Sequence, residues 1–157
     1  MKTIETWVNN VLTYPPAEIY LGAPAKLKKQ EELVKAICED FYKFNWEKEK
    51  FKNPVSQLRE VSREMQVLDN FYEGESYVPK VSTVVDLAAK FIAVAEGVSK
   101  ILGKMHKKHP VLTKYYEGIE IPVPSLVQAI TDWGSEILSV DRAVFDSELK
   151  NKMRIKK

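Results

Sequence analysis

Few side chains in this 157-residue chain suit acid–base, thiol or metal chemistry near neutral pH: His106, His109 and Cys38, with carboxylate pairs at Glu31-Glu32 and Glu39-Asp40. His106-Lys107-Lys108-His109 has the H-x-x-H spacing that sets two imidazoles on one helical face, where they could ligate a metal ion. Two ammonium groups between them repel a cation, and Pro110 ends the helix that would align them. The run therefore reads as a solvated helix C-terminus complementing the dipole, with phosphate contact as its other use. Cys38, flanked by Ile37 and Phe41, reads as a buried structural thiol, because no neighbouring cation stabilises a thiolate.

Neither His has a Glu three residues before it, so the Glu-x-x-His pairs of di-iron bundles are missing, and no G-x-S-x-G turn presents a nucleophile. The Glu31-Glu32 pair faintly resembles the E-E-x-x-E run with which all-α nucleotide pyrophosphohydrolases of the MazG kind hold Mg²⁺. Here Lys35 takes the place of the third carboxylate, and Glu60 is followed by Arg63 where that family's second helix has Asp. No residue role is carried over. Lys28, Lys29, Lys35 and Lys43 lie at i,i+3 or i,i+4 from these acids, the pattern of a solvated helix face. A catalytic residue, a metal site and a cofactor are not expected, and no small-molecule substrate is evident.

Charge is the stronger signal. The net +2 averages blocks of opposite sign: residues 97–114 hold five Lys and no acid, 115–148 sum to −6, and 149–157 hold five basic residues and no acid. Lys100, Lys104, Lys107, Lys108, Lys150, Lys152, Arg154 and Lys156 are the candidate nucleic-acid contacts, provided the two clusters lie together. Lys dominates over Arg, so such binding would be electrostatic and weakly sequence-selective. The acidic block facing the basic tail of a second copy is the other reading, which makes the segregation a means of self-assembly.

The elements that must place these groups are helical. Val84, Phe91, Val98 and Met105 recur every seven residues, with Leu87/Ala88, Val94/Ala95 and Ile101/Leu102 between them. This seam predicts a central helix over about 81–108, roughly 40 Å long, and a Leu87→Asp change should unfold the domain. Gly97 and Gly103 within it imply close helix packing or a bend. Further helices are predicted from about Ala25 to Trp46 or on to Phe51, from Asn53-Pro54 to Gly74, from Ser125 with Gln128 as a capping box, and over 141–155 with Val144, Phe145 and Leu149 apolar. Short segments at 4–12 and 111–116 complete the set. The expected fold is all-α: about four long helices and two or three short ones, in one domain spanning 1–157 with a basic tail at about 150–157.

Val67–Gly74 and Val111–Gly118 echo each other at an offset of 44, and each is followed by a proline. Gly74 and Gly118 read as left-handed helix caps, and the pair also suggests two similar Tyr-Glu-Gly loops. Tyr14, Tyr20, Tyr77, Tyr115 and Tyr116 enrich the segments between helices, and Tyr favours partly wet interfaces. With 45% hydrophobic and 29% charged residues the chain can build one core without a disulfide, which one cysteine could not supply. No apolar run spans a bilayer, and MKTIETWVNN lacks a signal-peptide core, so a cytoplasmic location is expected. The leading functional expectation is a non-enzymatic protein-interaction protein: an adaptor, inhibitor or assembly subunit. A nucleic-acid binder comes second, and a metal-dependent hydrolase on the bundle third.

Overall fold

A computed structural model describes residues 2–15, 27–43, 54–74, 80–115 and 122–155. These form six α-helices: α1 (Lys2–Leu12), α2 (Leu27–Lys43), α3 (Pro54–Gly74), α4 (Val81–Lys108), α5 (Val123–Leu138) and α6 (Arg142–Ile155). A 3-10 turn, Pro110–Tyr115, follows α4, and no strand occurs among the described residues. The chain is an all-α bundle whose longest helix is α4.

Every position of the α4 seam is buried, from Val84 to Met105, and Val85, Ala89 and Ile92 widen it. A helix apolar on so many sides must lie at the centre. It packs against α2, α3, α5, α6 and the 3-10 turn. One apolar core runs through all of them: Trp7 from α1, Phe41 from α2, Leu58 and Met65 from α3, Leu112 from the turn, Trp133 from α5 and Phe145 from α6. Trp7 meets Phe91 edge-to-face with ring centroids 5.9 Å apart. The helix ends as the sequence implies, with the His109 N–H on the Met105 carbonyl at 2.8 Å and Pro110 next. No described helix is long and apolar enough to cross a membrane.

Several local expectations change. Helix α5 begins at Val123, two residues before Ser125, and its N-cap Pro122 makes no side-chain cap hydrogen bond, so Ser125 does not open a capping box. The prolines at 122 and 124 supply the preset φ and the missing N–H that a first turn tolerates. Gly74 is itself helical rather than a left-handed cap, and Gly118 lies outside the described residues. The left-handed cap is Ser139 (φ 55°), where Ser139 N–H reaches Glu136 O and Val140 N–H reaches Ser135 O at 3.2 and 3.0 Å. The echo splits: Val67–Gly74 is α-helical, while Val111–Tyr115 is 3-10. Gly103 neither packs nor is crowded, since a Cβ there would meet nothing within 4 Å. Val144 faces outward, 51% exposed, while Phe145 and Leu149 face the core.

Candidate functional site

The last two and a half turns of α4 carry Lys100, Lys104, Lys107 and Lys108, all exposed. Spacings of three and four residues place them along one side of the helix. Lys104 and Lys108 also line a cleft of about 300 Å³ against Glu39, Asp40 and Lys43 of α2. Lys108 Nζ lies 3.0 Å from Asp40 Oδ2, and His109 Nε2 donates to the same oxygen at 2.7 Å. These two donors, His109 foremost and Lys108 next, hold the Asp40 carboxyl below its ordinary pKa.

The tail cations sit elsewhere. Lys152 Nζ is 2.8 Å from Asp86 Oδ1, in the first turns of α4, and Lys150 Nζ is 3.0 Å from Asp146 Oδ2 on its own helix. Asp86 precedes Lys104 by eighteen residues (104 − 86), about 27 Å of helix. The two basic clusters are therefore separated along α4 rather than joined, and three of the proposed phosphate contacts, Lys108, Lys150 and Lys152, already hold intramolecular carboxylates. Arg154 lies in the last turn of α6, and Lys156 lies outside the described residues.

Among the tyrosines, Tyr14 is not on the surface: it is 3% exposed, its hydroxyl is hydrogen-bonded to His106 Nε2 at 3.0 Å, and its ring packs edge-to-face on Phe41. A Tyr between helices suggests an interface residue, but the chain folds Tyr14 back onto Phe41 of α2 and His106 of α4, which local sequence does not show. Its carbonyl accepts the Tyr42 hydroxyl at 3.0 Å. Tyr20, Tyr77 and Tyr116 lie outside the described residues, and the Tyr115 backbone ends the 3-10 turn.

The H-x-x-H imidazoles take different partners, His106 going to Tyr14 and His109 to Asp40, so they do not converge. Burial lowers the His106 pKa, and burial likewise raises that of the Tyr42 phenol. Among the described residues no group of three His, Cys, Asp or Glu side chains could hold a metal ion. Cys38 is half-buried and packed against the core.

Sequence reasoning missed this Tyr14–His106, Asp40–His109 corner, whose members are 92 and 69 residues apart. It also missed Trp133 donating its indole N–H to Asp69 at 2.7 Å. No spacing rule reports such long-range pairs.

The chain matches no family model, and neither a curated protein nor a solved structure resembles it significantly.

Proposed function

We propose that this protein is a non-enzymatic, cytoplasmic interaction protein of the adaptor, inhibitor or assembly-subunit kind. It engages a protein partner, or a second copy of itself, through exposed helix faces and the segments bearing Tyr20, Tyr77, Tyr115 and Tyr116. One observation carries the reading: some exposed charges of two helical regions, opposite in sign, form no ion pair among the described residues. Lys100 and Lys107 on α4 are exposed and form no ion pair among the described residues, and the same holds for Glu136, Asp141 and Glu148 around α5 and α6. Complementary surfaces of this kind steer and orient protein association. Gel filtration with light scattering, combined with capture from native lysate, tests it: a monomer that recovers nothing overturns the reading.

A second reading, electrostatic nucleic-acid binding, is favoured by the four exposed lysines that share one side of the end of α4. Fluorescence anisotropy with random-sequence DNA and RNA at about 50 and 200 mM salt tests it, since each neutralised duplex phosphate adds roughly −0.9 to the salt slope. Unaltered affinity after neutralising Lys104, Lys107 and Lys108 together removes this reading.

A further inference from the structure

Lys100, Gly103 and Lys107 follow one another at i, i+3 and i+7 along α4, and all three are exposed. That spacing draws a single line along the helix, with a bare backbone between two cations. Glycine inside a helix costs about 1 kcal/mol relative to alanine. Nothing in the chain requires it here, because a Cβ at Gly103 would enter open space.

Asp141, Val144 and Glu148 repeat the same i, i+3, i+7 spacing at the start of α6, again with all three exposed. Asp141 is continuous with the helix, since its carbonyl accepts the Val144 and Phe145 N–H groups at 3.0 and 3.2 Å. Here an uncovered valine, 51% exposed, stands between two carboxylates.

We propose that the α4 and α6 lines dock on each other between two copies of this chain. The Val144 side chain of one copy seats on Gly103 of the next, and Lys100 and Lys107 face Asp141 and Glu148. Glycine at the crossing lets the helix backbones approach closely enough for a valine to fill the gap, and the flanking pairs fix register and direction. Two copies of the α4 line alone would set lysine against lysine. A nucleic acid would use the lysines and leave both the bare glycine and the exposed valine without a role. Because the two lines differ, the contact is heterologous: each added copy leaves one donor and one acceptor surface open, so the assembly closes as a ring or grows as a filament. The inference rests on the interaction reading above and names its partner as the protein itself.

Sedimentation velocity of the nuclease-treated full chain, from micromolar to near-millimolar concentration and at low and high salt, provides the test. The expected result is concentration-dependent association that weakens as salt screens the pairs. Lys100→Glu with Lys107→Glu should weaken it by more than about tenfold, and so should Asp141→Asn with Glu148→Lys. Mixing these two variants should restore a complex, because the unaltered α6 line of the first still meets the unaltered α4 line of the second. Gly103→Leu supplies the steric arm: it should melt no lower than the parent chain and yet be monomeric. A monomer at every concentration overturns the self-docking contact while leaving lysate capture to decide the broader reading. Association that survives both charge-altering double substitutions and Gly103→Leu also overturns it.

Discussion

The ring of Phe145 occupies the space that any side chain at Gly134 would need, so α5 and α6 meet with a phenyl group against bare backbone. Both residues are buried, and Phe145 is 1% exposed. Gly134→Ala forces that ring out of its seat in a close-packed core, where overpacking costs typically about 1–3 kcal/mol. The melting temperature should fall by several degrees, at roughly 2–4 °C per kcal/mol for a chain of this size. Combining the change with Phe145→Leu should recover part of the loss in a double-mutant cycle. An unchanged melting temperature for Gly134→Ala alone would contradict the contact.

Ser139 ends α5 in the left-handed region at φ 55° and ψ 44°, a conformation that costs a non-glycine residue about 1–2 kcal/mol. Its N–H and that of Val140 tie off the last carbonyls, and Val140 packs on the core behind them. Ser139→Gly keeps both hydrogen bonds and removes the side-chain penalty, less the greater backbone entropy that glycine loses on folding. A net gain of about 0.5–1 kcal/mol is expected, read as a higher denaturation midpoint at unchanged slope. A loss of stability would show that the Ser139 side chain has a role at the cap.

How much of this was legible in the sequence depends on the range of the interaction. The α4 seam could be read from heptad spacing because a buried helix repeats its apolar positions locally, and each one is buried. The break at His109-Pro110 follows from proline chemistry alone. Ser139 escaped because serine seldom adopts φ > 0, so Gly74 and Gly118 drew the capping assignment instead. Gly134 and Gly103 look alike in sequence and differ only in their surroundings, one under Phe145 and the other in open space. The candidate site divides in the same way. Exposed lysines at the end of α4 were visible as a charge block, whereas their separation from Lys152 depends on how α6 folds back onto Asp86.

Asp40 ties the end of α2 to the end of α4 by accepting both Lys108 and His109 on one oxygen. Its pKa is lowered in the fold, so it contributes stability that is present above its ordinary value of 3.8 and is lost as pH falls through the lower folded value. Asp40→Asn should therefore destabilise the chain at pH 6 to 7, by about 1 kcal/mol for a carboxylate partly screened by solvent. Urea titrations should show that gap closing in strongly acidic buffer, and closing in part in high salt. A gap that persists undiminished at low pH would rule out the ion-pair account.

His106 lies part-buried against Tyr14, and burial lowers its pKa from the ordinary 6.5. A base with a lowered folded pKa favours the native state while it is neutral, so its contribution is present above 6.5 and is lost as pH falls through that value toward the folded one, because the unfolded chain then takes up the proton first. The decline begins at 6.5, above the 3.8 at which the Asp40 contribution starts to fall, so the two effects set in at different pH. Stability should decline from pH 7 toward pH 5 in the parent chain, and the slope should flatten in His106→Gln, whose side chain does not titrate. Tyr14→Phe separates burial from the hydrogen bond, because it removes the phenol hydroxyl from Nε2 while keeping the aromatic ring against Phe41. If burial is the cause, an NMR titration of the His106 imidazole in Tyr14→Phe should still give a value below 6.5, and a return to the ordinary value would assign the shift to the Tyr14 hydroxyl instead.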